Sequence, residues 1–358
     1  MLSGKRIALL CYPMIFQFRG GVANKIDSTL AALRAKGVDA RLFDSNHDLI
    51  KNFDLVHLFC TGSGNHRVVE AANDLGVPVV LSSVFSLPYS RYEGRRDRWL
   101  HRIVMRLSDY SLNTTWGQVN RALRGAERII VLGPGEAKAL CENFDVEAAR
   151  LRTIPNGVGE GFFAADANTF AAGWPGKRPV VLMAAKISPD KNQLAAAQAV
   201  STLDADLVLF GSLGTTQANY FQACQAAAPG KVHHLGTRPL SDPFYAAAFA
   251  AAAVTVLPSR TEVTPNAILE SLAAGTPAVC TVHNGWDRSF PAACYREVAP
   301  DDVASLRRYI AEFIAQPPDP NLCRAAVTEL RWATVADAVI GVYEEALGLR
   351  AKTAPART

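Results

Sequence analysis

Along the chain, short apolar runs bounded by turn-forming residues alternate with longer stretches whose apolar positions recur at helical spacing. A short continuous apolar run suits a strand buried on both faces, and intervening helices supply the crossovers of a parallel sheet. The first half carries such runs at Arg6–Tyr12, Ala40–Phe43, Leu55–Cys60, Pro78–Ser83, Arg128–Leu132 and Leu151–Ile154. The second half restarts the rhythm at Pro179–Ala185, Leu207–Phe210, Val232–Leu235, Val254–Leu257 and Pro277–Thr281. Two doubly wound α/β domains follow, over 1–160 and 170–333. The Gly-rich segment Pro155–Gly161, and the weakly periodic stretch after it to Trp174-Pro175-Gly176, read as a hinge. The last periodic stretch, Thr334–Leu347, is an amphipathic helix expected to brace the first domain, with a stop at Gly348 and a frayed tail.

Composition narrows the class. A length of 358 residues suits two domains, and 49% hydrophobic with 20% charged residues is a globular balance. A net charge of +4 argues against a general nucleic-acid binder. The seven cysteines form no CxxC pair and read as buried thiols of a reducing cytoplasm. Lys5 and Arg6 precede an apolar run, but it has only strand length, and aromatic residues follow where a cleavage site needs small ones. No run approaches the ~18 apolar residues of a membrane span, so a cytoplasmic protein is expected.

The most informative segment runs from Pro258 to Pro277, PSRTEVTPNAILESLAAGTP. A buried strand ends, a polar loop follows, Thr264 is expected to cap a helix that starts at Pro265, and Gly275 closes it. Asn266 then lies in the first turn. Free amides at such a helix start, at the carboxyl edge of a parallel sheet, suit an anionic or hydroxyl-rich ligand. Glu262 lies in the loop and Glu270 in the helix, where a carboxylate can accept two hydrogen bonds from a vicinal diol. Directly after the strand that opens the second domain comes Ala185-Lys186-Ile187-Ser188-Pro189-Asp190-Lys191. Two cations at one strand end can neutralise a diphosphate that gains charge as a bond to it breaks.

These segments resemble the retaining GT-B glycosyltransferases, specifically the family 4-like group of bacterial envelope sugar transferases and sucrose-phosphate synthases. The resemblance covers nearly the whole chain and is densest over 151–281. It rests on the E-x7-E spacing of Glu262 and Glu270 inside the PS-x-x-E frame, and on Lys191, which matches the lysine of the family's G-R-L-x-x-x-K-G. Lys186 stands where arginine is usual and offers a point charge without the bidentate fork. The resemblance implies two Rossmann-like domains facing across a cleft, with the first binding an acceptor and the second a nucleotide-diphosphate sugar. It further implies that Glu270 holds the ribose hydroxyls, that Glu262 contacts the donor sugar, and that Lys186 and Lys191 stabilise the departing diphosphate without a metal or other cofactor. Gly211 resembles the family's diphosphate-side glycine loop, and Thr237 and Arg238 the loop beside the base. Arg19-Gly20-Gly21-Val22 matches the glycine pair that approaches the donor phosphates. Ile154-Pro155-Asn156-Gly157-Val158 matches the family hinge, with Gly159 in place of its aspartate.

The family's T-x-H after the fourth strand is absent, since this chain reads Ser83-Val84-Phe85-Ser86. Ser83 or Ser86 would substitute, or the sugar is positioned differently. His57, inside the run DLVHLF, reads as a core histidine. Asp204-Ala205-Asp206 precedes a strand, on the wrong edge for a metal-bound ligand, and Gly133-Pro134-Gly135-Glu136 reads as a strand-to-helix turn. His233-His234 has no partner at ligand spacing, and no G-x-S-x-G supports a hydrolase.

Residues 90–109 hold six arginines and a net charge of +3. Arg95, Arg98, Arg102 and Arg106 gather near Trp99 and Leu100. The stretch reads either as a core-packing helix with a solvated basic face or as a contact for anionic lipid or a phosphate-bearing acceptor. Two other classes fit the fold: a nucleotide-sugar epimerase, which needs no acceptor, and a non-catalytic sugar-nucleotide binding module.

Overall fold

The computed structural model describes the chain except residues 1, 3, 18–19, 86–90, 108–113, 145, 287–289 and 354–358, and side chains except those of 91–94 and 349–353 as well. Arg19, Ser86 and the end of the tail, discussed above, lie outside the described residues.

The first sheet is built from β1 (Arg6–Leu10), β2 (Asp39–Leu42), β3 (Leu55–Phe59), β4 (Val79–Ser82), β5 (Arg128–Val131) and β6 (Leu151–Thr153). The second holds β7 (Val180–Ala184), β8 (Asp206–Phe210), β9 (Val232–His234), β10 (Val254–Leu257), β11 (Ala278–Thr281) and β12 (Tyr295–Val298). Both are parallel throughout, in the orders β2-β1-β3-β4-β5-β6 and β12-β11-β10-β7-β8-β9. Each order reverses once, between β1 and β3 and between β7 and β10. Loops leaving the carboxyl ends of those two strands diverge and leave a crevice, the place where doubly wound sheets hold ligands.

Strand β12 is missing from the sequence reading because Arg296 and Glu297 interrupt its apolar pattern, which an edge strand tolerates. The stretch read as a hinge contains two short helices, Glu160–Phe163 and Ala167–Gly173. Phe170 stacks with Trp174 and tilts against Phe244, so aromatic packing orders this stretch where periodicity was weak.

The chain divides at Gly157 into one unit made chiefly of Met1–Gly157 and Trp332–Thr358 and a second made chiefly of Val158–Asn284 and Arg288–Arg331. In the first unit the strand pleat sends Ala8, Leu10, Val56 and Leu58 to one core and Ile7, Leu9, Leu55 and Phe59 to the other. The second of these cores is closed by the helix Trp332–Thr353, through Val335, Val339, Val342, Tyr343 and Ala346. Tyr343 Oη lies 2.7 Å from His57 Nδ1, and His57 Nε2 lies 2.9 Å from Ser82 Oγ. Both ring nitrogens are thus satisfied inside the core, and burial pulls the imidazole pKa down to about 3. Glu345 of the same helix takes Arg128 at 2.9 Å and Arg152 at 2.6 Å. Among the described residues, no helix is long and apolar enough to cross a membrane.

Candidate functional site

In the second unit the predicted residues gather where the strand order reverses. Lys191 leaves the loop after β7, Glu262 leaves the loop after β10, and Lys191 Nζ meets Glu262 Oε1 at 2.6 Å. Ser259 Oγ donates to the same oxygen at 2.6 Å, while Oε2 accepts no hydrogen bond among the described residues. Glu262 is buried, and its own amide donates to the His283 carbonyl at 2.8 Å, which fixes the loop. Lys186 is exposed and has no ion-pair partner among the described residues. One cation is therefore held against a carboxylate and the other is available to a ligand.

Two neighbours that the sequence reading passed over hold this loop in shape. Gln193 accepts from the Ser188 amide at 3.2 Å and donates to the Lys186 carbonyl at 2.9 Å. Asn192 adopts the left-handed region, with φ 63°, and its side-chain amide donates to the carbonyls of Pro258 at 3.1 Å and Pro300 at 2.7 Å. Asparagine is the side chain most tolerant of that backbone region, and its place directly after Lys191 is the signal that could have marked it. The Arg260 amide adds a bond to the Asp190 carbonyl at 2.8 Å, so three links tie the β7 loop to its surroundings.

The helix after β10 runs Asn266–Ala274 and corrects one expectation. Pro265, with ψ 89°, is the capping position and Asn266 the first helical residue; the Thr264 side chain does not cap. Thr264 Oγ1 is instead a buried hydroxyl without a hydrogen-bond partner among the described residues, a group that a ligand can satisfy. Gly275 closes the helix at φ 90°, as its sequence position requires. Glu270 keeps some exposure as a residue, but its carboxyl is desolvated, which lifts its pKa to about 7. No hydrogen bond or ion pair occupies it among the described residues, so it is poised to accept hydroxyl donors.

Gly211, directly after β8, has φ 144°, and a Cβ there would lie 2.0 Å from the Ala185 carbonyl oxygen. Only glycine lets the β8 loop pass this close to the β7 loop. The Gly211 amide donates to Gly236 at 2.9 Å and its carbonyl lies 2.8 Å from His234 Nε2, so the loops after β7, β8 and β9 form one continuous edge. Thr237 is exposed on that edge. Arg238 is engaged, bonded to Asp242 at 3.2 Å and lying 5.2 Å from the Phe244 ring centre. Asp206 sits at the amino end of β8, paired with Arg178 at 2.9 Å. Among the described residues, no three His, Cys, Asp or Glu side chains group as a metal site.

In the first unit, Gly20 caps and Gly21 begins the helix Gly21–Ala35, whose first amides have no intrahelical acceptor. Ser83 is fully buried, and its hydroxyl donates to Glu136 at 2.6 Å and to the Ile130 carbonyl at 3.2 Å. It is committed to the fold and is not a free substitute for the family histidine. In the helix Arg91–Leu107, Trp99 is 60% and Leu107 82% exposed, so the core-packing reading fails for that face. Arg98 does not join the free arginines, because it donates to the Asn143 carbonyl at 3.1 Å and lies 5.5 Å from the Trp116 ring centre. Arg95, Arg102 and Arg106 remain exposed.

The Glycosyl transferases group 1 model matches residues 165–329, and the Glycosyltransferase Family 4 model matches 28–160. The MMP alpha-(1->4)-mannosyltransferase of Mycolicibacterium hassiacum is 24% identical over 312 residues, 83% of this chain and 71% of that one. Among solved structures, sucrose-phosphate synthase from Thermosynechococcus elongatus superposes with a TM-score of 0.73 at 17% identity, covering 96% of this chain and 100% of the other. Anabaena HepE, solved in complex with UDP, gives 0.70 at 14% identity over 95% of this chain and 100% of the other. With two parallel six-stranded sheets and a domain match on each half, the chain belongs to the family 4-like GT-B glycosyltransferases.

Proposed function

We propose that the protein moves a sugar from a nucleotide-diphosphate donor to an acceptor with retention of anomeric configuration, and that its second domain grips the donor. The observation that carries this reading is the Lys191–Glu262 contact of 2.6 Å at the reversal between β7 and β10, with Lys186 on the same loop. Bond breaking at the sugar leaves negative charge on the diphosphate, and fixed ammonium groups stabilise it more as it grows. In this reading Glu270 accepts the ribose hydroxyls, Thr264 and the amides from Asn266 onward face the donor, and Glu262 presents Oε2 to the sugar. The lysines take the part of a metal ion, so transfer runs in EDTA. The UDP held by the Anabaena neighbour makes UDP-sugars the first donors to test. A thermal-shift panel of nucleotide sugars should give a clear rise for one of them. NMR of the product made from that donor in EDTA should then show the donor's anomeric configuration. An inverted product, or activity restored only by magnesium, contradicts this reading, and donor turnover without acceptor points to an epimerase.

The first domain is assigned the acceptor, an envelope glycan or glycolipid precursor, on a protein that stays in the cytoplasm and touches the membrane peripherally. Exposed Trp99, Leu100 and Leu107 beside Arg95, Arg102 and Arg106 favour an anionic surface, each basic group contributing about 1 kcal/mol near such a bilayer. Replacing Arg95, Arg102 and Arg106 with glutamine should abolish salt-sensitive co-sedimentation with phosphatidylglycerol vesicles and leave donor affinity unchanged. Sedimentation equal to wild type makes this helix plain scaffold.

A further inference from the structure

We propose that Cys11 and Cys60 are a modification site, a dithiol that a peroxide converts reversibly into a disulfide across the crevice of the first sheet. The site holds whatever the protein transfers. All seven cysteines are free; four are buried as the sequence suggests, while Cys11, Cys60 and Cys141 are part-exposed. Cys11 directly follows β1 and Cys60 directly follows β3, the two strands between which the order of the first sheet reverses. Their thiols are in hydrogen-bond contact.

Leu10 pairs with Leu58 in the parallel register, so that register extended puts Cys11 opposite Phe59 and Cys60 one residue further on. With strands about 4.8 Å apart and about 3.3 Å between residues, this diagonal spans about 5.8 Å between Cα atoms, inside the range of about 4.4 to 6.8 Å that a disulfide accepts. A regular pleat would turn the two side chains to opposite faces. Cys60 breaks the pleat, with φ 71° in the left-handed region that a residue bearing a Cβ seldom adopts. Asn65 holds it there, its side-chain amide donating to the Phe59 carbonyl at 2.8 Å and to the Cys60 carbonyl at 2.9 Å. A strained backbone kept in place by its own hydrogen bonds, with a thiol pair as its result, is a built arrangement rather than chance proximity.

The contact gives the two thiols different parts. Cys60 donates its S–H to the Cys11 sulfur, and that bond, with the Tyr12 amide and Asn65, holds the Cys11 thiol below its ordinary pKa against the effect of burial. The same contact and burial push the Cys60 thiol far up; Lys25 favours its anion and Glu136 opposes it. Cys11 is therefore the nucleophile. Its sulfur attacks one peroxide oxygen, the O–O bond breaks, and the departing oxygen takes up a proton and leaves as water, which gives a sulfenic acid. The Cys60 sulfur then attacks the Cys11 sulfur, the S–O bond breaks, and the hydroxyl leaves as water with the Cys60 proton. The pair loses two electrons and the peroxide gains them. In a reducing compartment such a bond is transient, which suits a sensor rather than a staple. The loop after β1 leads into the helix Gly21–Ala35 and the loop after β3 into the helix His66–Asp74, so the bond ties together the two segments that flank the crevice.

The test treats the folded 358-residue chain with hydrogen peroxide, caps remaining thiols in urea with N-ethylmaleimide, and reads tryptic peptides by mass spectrometry. The expected product is a peptide pair joining Cys11 to Cys60, reversed by dithiothreitol and formed roughly tenfold or more faster than Cys141 is oxidised. Cys294 and Cys323 are an internal control, because they too are in contact but both are fully buried, and they should stay reduced. Cys60→Ser should stop at a sulfenic acid on Cys11 that dimedone captures, and Cys11→Ser should leave Cys60 unoxidised. No cross-link while Cys141 is oxidised overturns the proposal, as does a cross-link no faster than that oxidation. So does a cross-link confined to Cys294 and Cys323, or one that forms only when peroxide is added to unfolded protein. Dimedone on Cys60 in preference to Cys11 reverses the order of attack and also overturns it. Should both variants fail to fold, the wild-type cross-link and its rate decide alone.

Discussion

Lys191→Ala is expected to lower the rate of sugar transfer by about 10²- to 10³-fold while weakening ground-state donor binding far less. The diphosphate carries more charge in the transition state than in the bound donor, so a cation aimed at it contributes mainly to the rate. The 2.6 Å contact with Glu262 sharpens the effect. Without Lys191, a buried carboxylate that keeps only Ser259 would face the leaving group uncompensated. The double variant Lys191→Ala with Glu262→Gln should therefore recover part of the rate, and steady-state kinetics with the donor found by thermal shift would show it. Equal losses in donor affinity and turnover would make Lys191 a simple anchor.

Glu270→Ala should weaken nucleotide binding by about 1.5 to 3 kcal/mol, roughly ten- to a hundredfold, because a vicinal diol loses its bidentate acceptor. A pH dependence comes with it. The folded carboxyl titrates at about 7, above its ordinary range, so wild-type affinity should climb between pH 6 and pH 8 as the full acceptor forms, and the alanine variant should be flat. The same shift has a stability sign. A carboxyl whose folded pKa is raised loses stability as pH climbs from its unfolded value to about 7, and the penalty persists above that. Glu270→Gln should consequently melt above wild type at pH 8 and lose that advantage near pH 4. Unchanged UDP affinity for the alanine variant, measured by calorimetry, would remove Glu270 from the site.

What could be read from sequence follows from what each signal depends on. Apolar runs such as Leu55–Phe59 mark strands because both faces of a parallel sheet are covered, and this condition needs no knowledge of the partner strand. Tyr295–Val298 escapes because an edge strand is relieved of that condition. The E-x7-E frame fixes Glu262 and Glu270 through local grammar, a strand end followed by a helix start. The Thr264 cap fails on one backbone angle at Pro265, which composition does not encode. The contact of Ser83 with Glu136 escapes because the two lie on different elements, far apart in sequence. A lone Lys or Glu on an amphipathic helix reads as solvent-facing until the packing is known.

The return of the helix Trp332–Thr353 to the first unit has a consequence for how the protein is made. The helix supplies Tyr343 to His57 and closes an apolar face, so the first unit emerges from the ribosome with one of its two cores unsealed. About 170 residues of the second unit must be synthesised before the seal arrives. At about 5 to 20 residues per second that is a wait of roughly 10 to 30 s, during which Ile7, Leu9 and Phe59 are covered by Ile26, Leu30 and Leu33 but lack Val335, Val339, Val342 and Tyr343. Nascent chains of this architecture therefore have a built-in reason to engage a holding chaperone, and the second unit, whose segments are contiguous but for a three-residue excursion, is free to fold first.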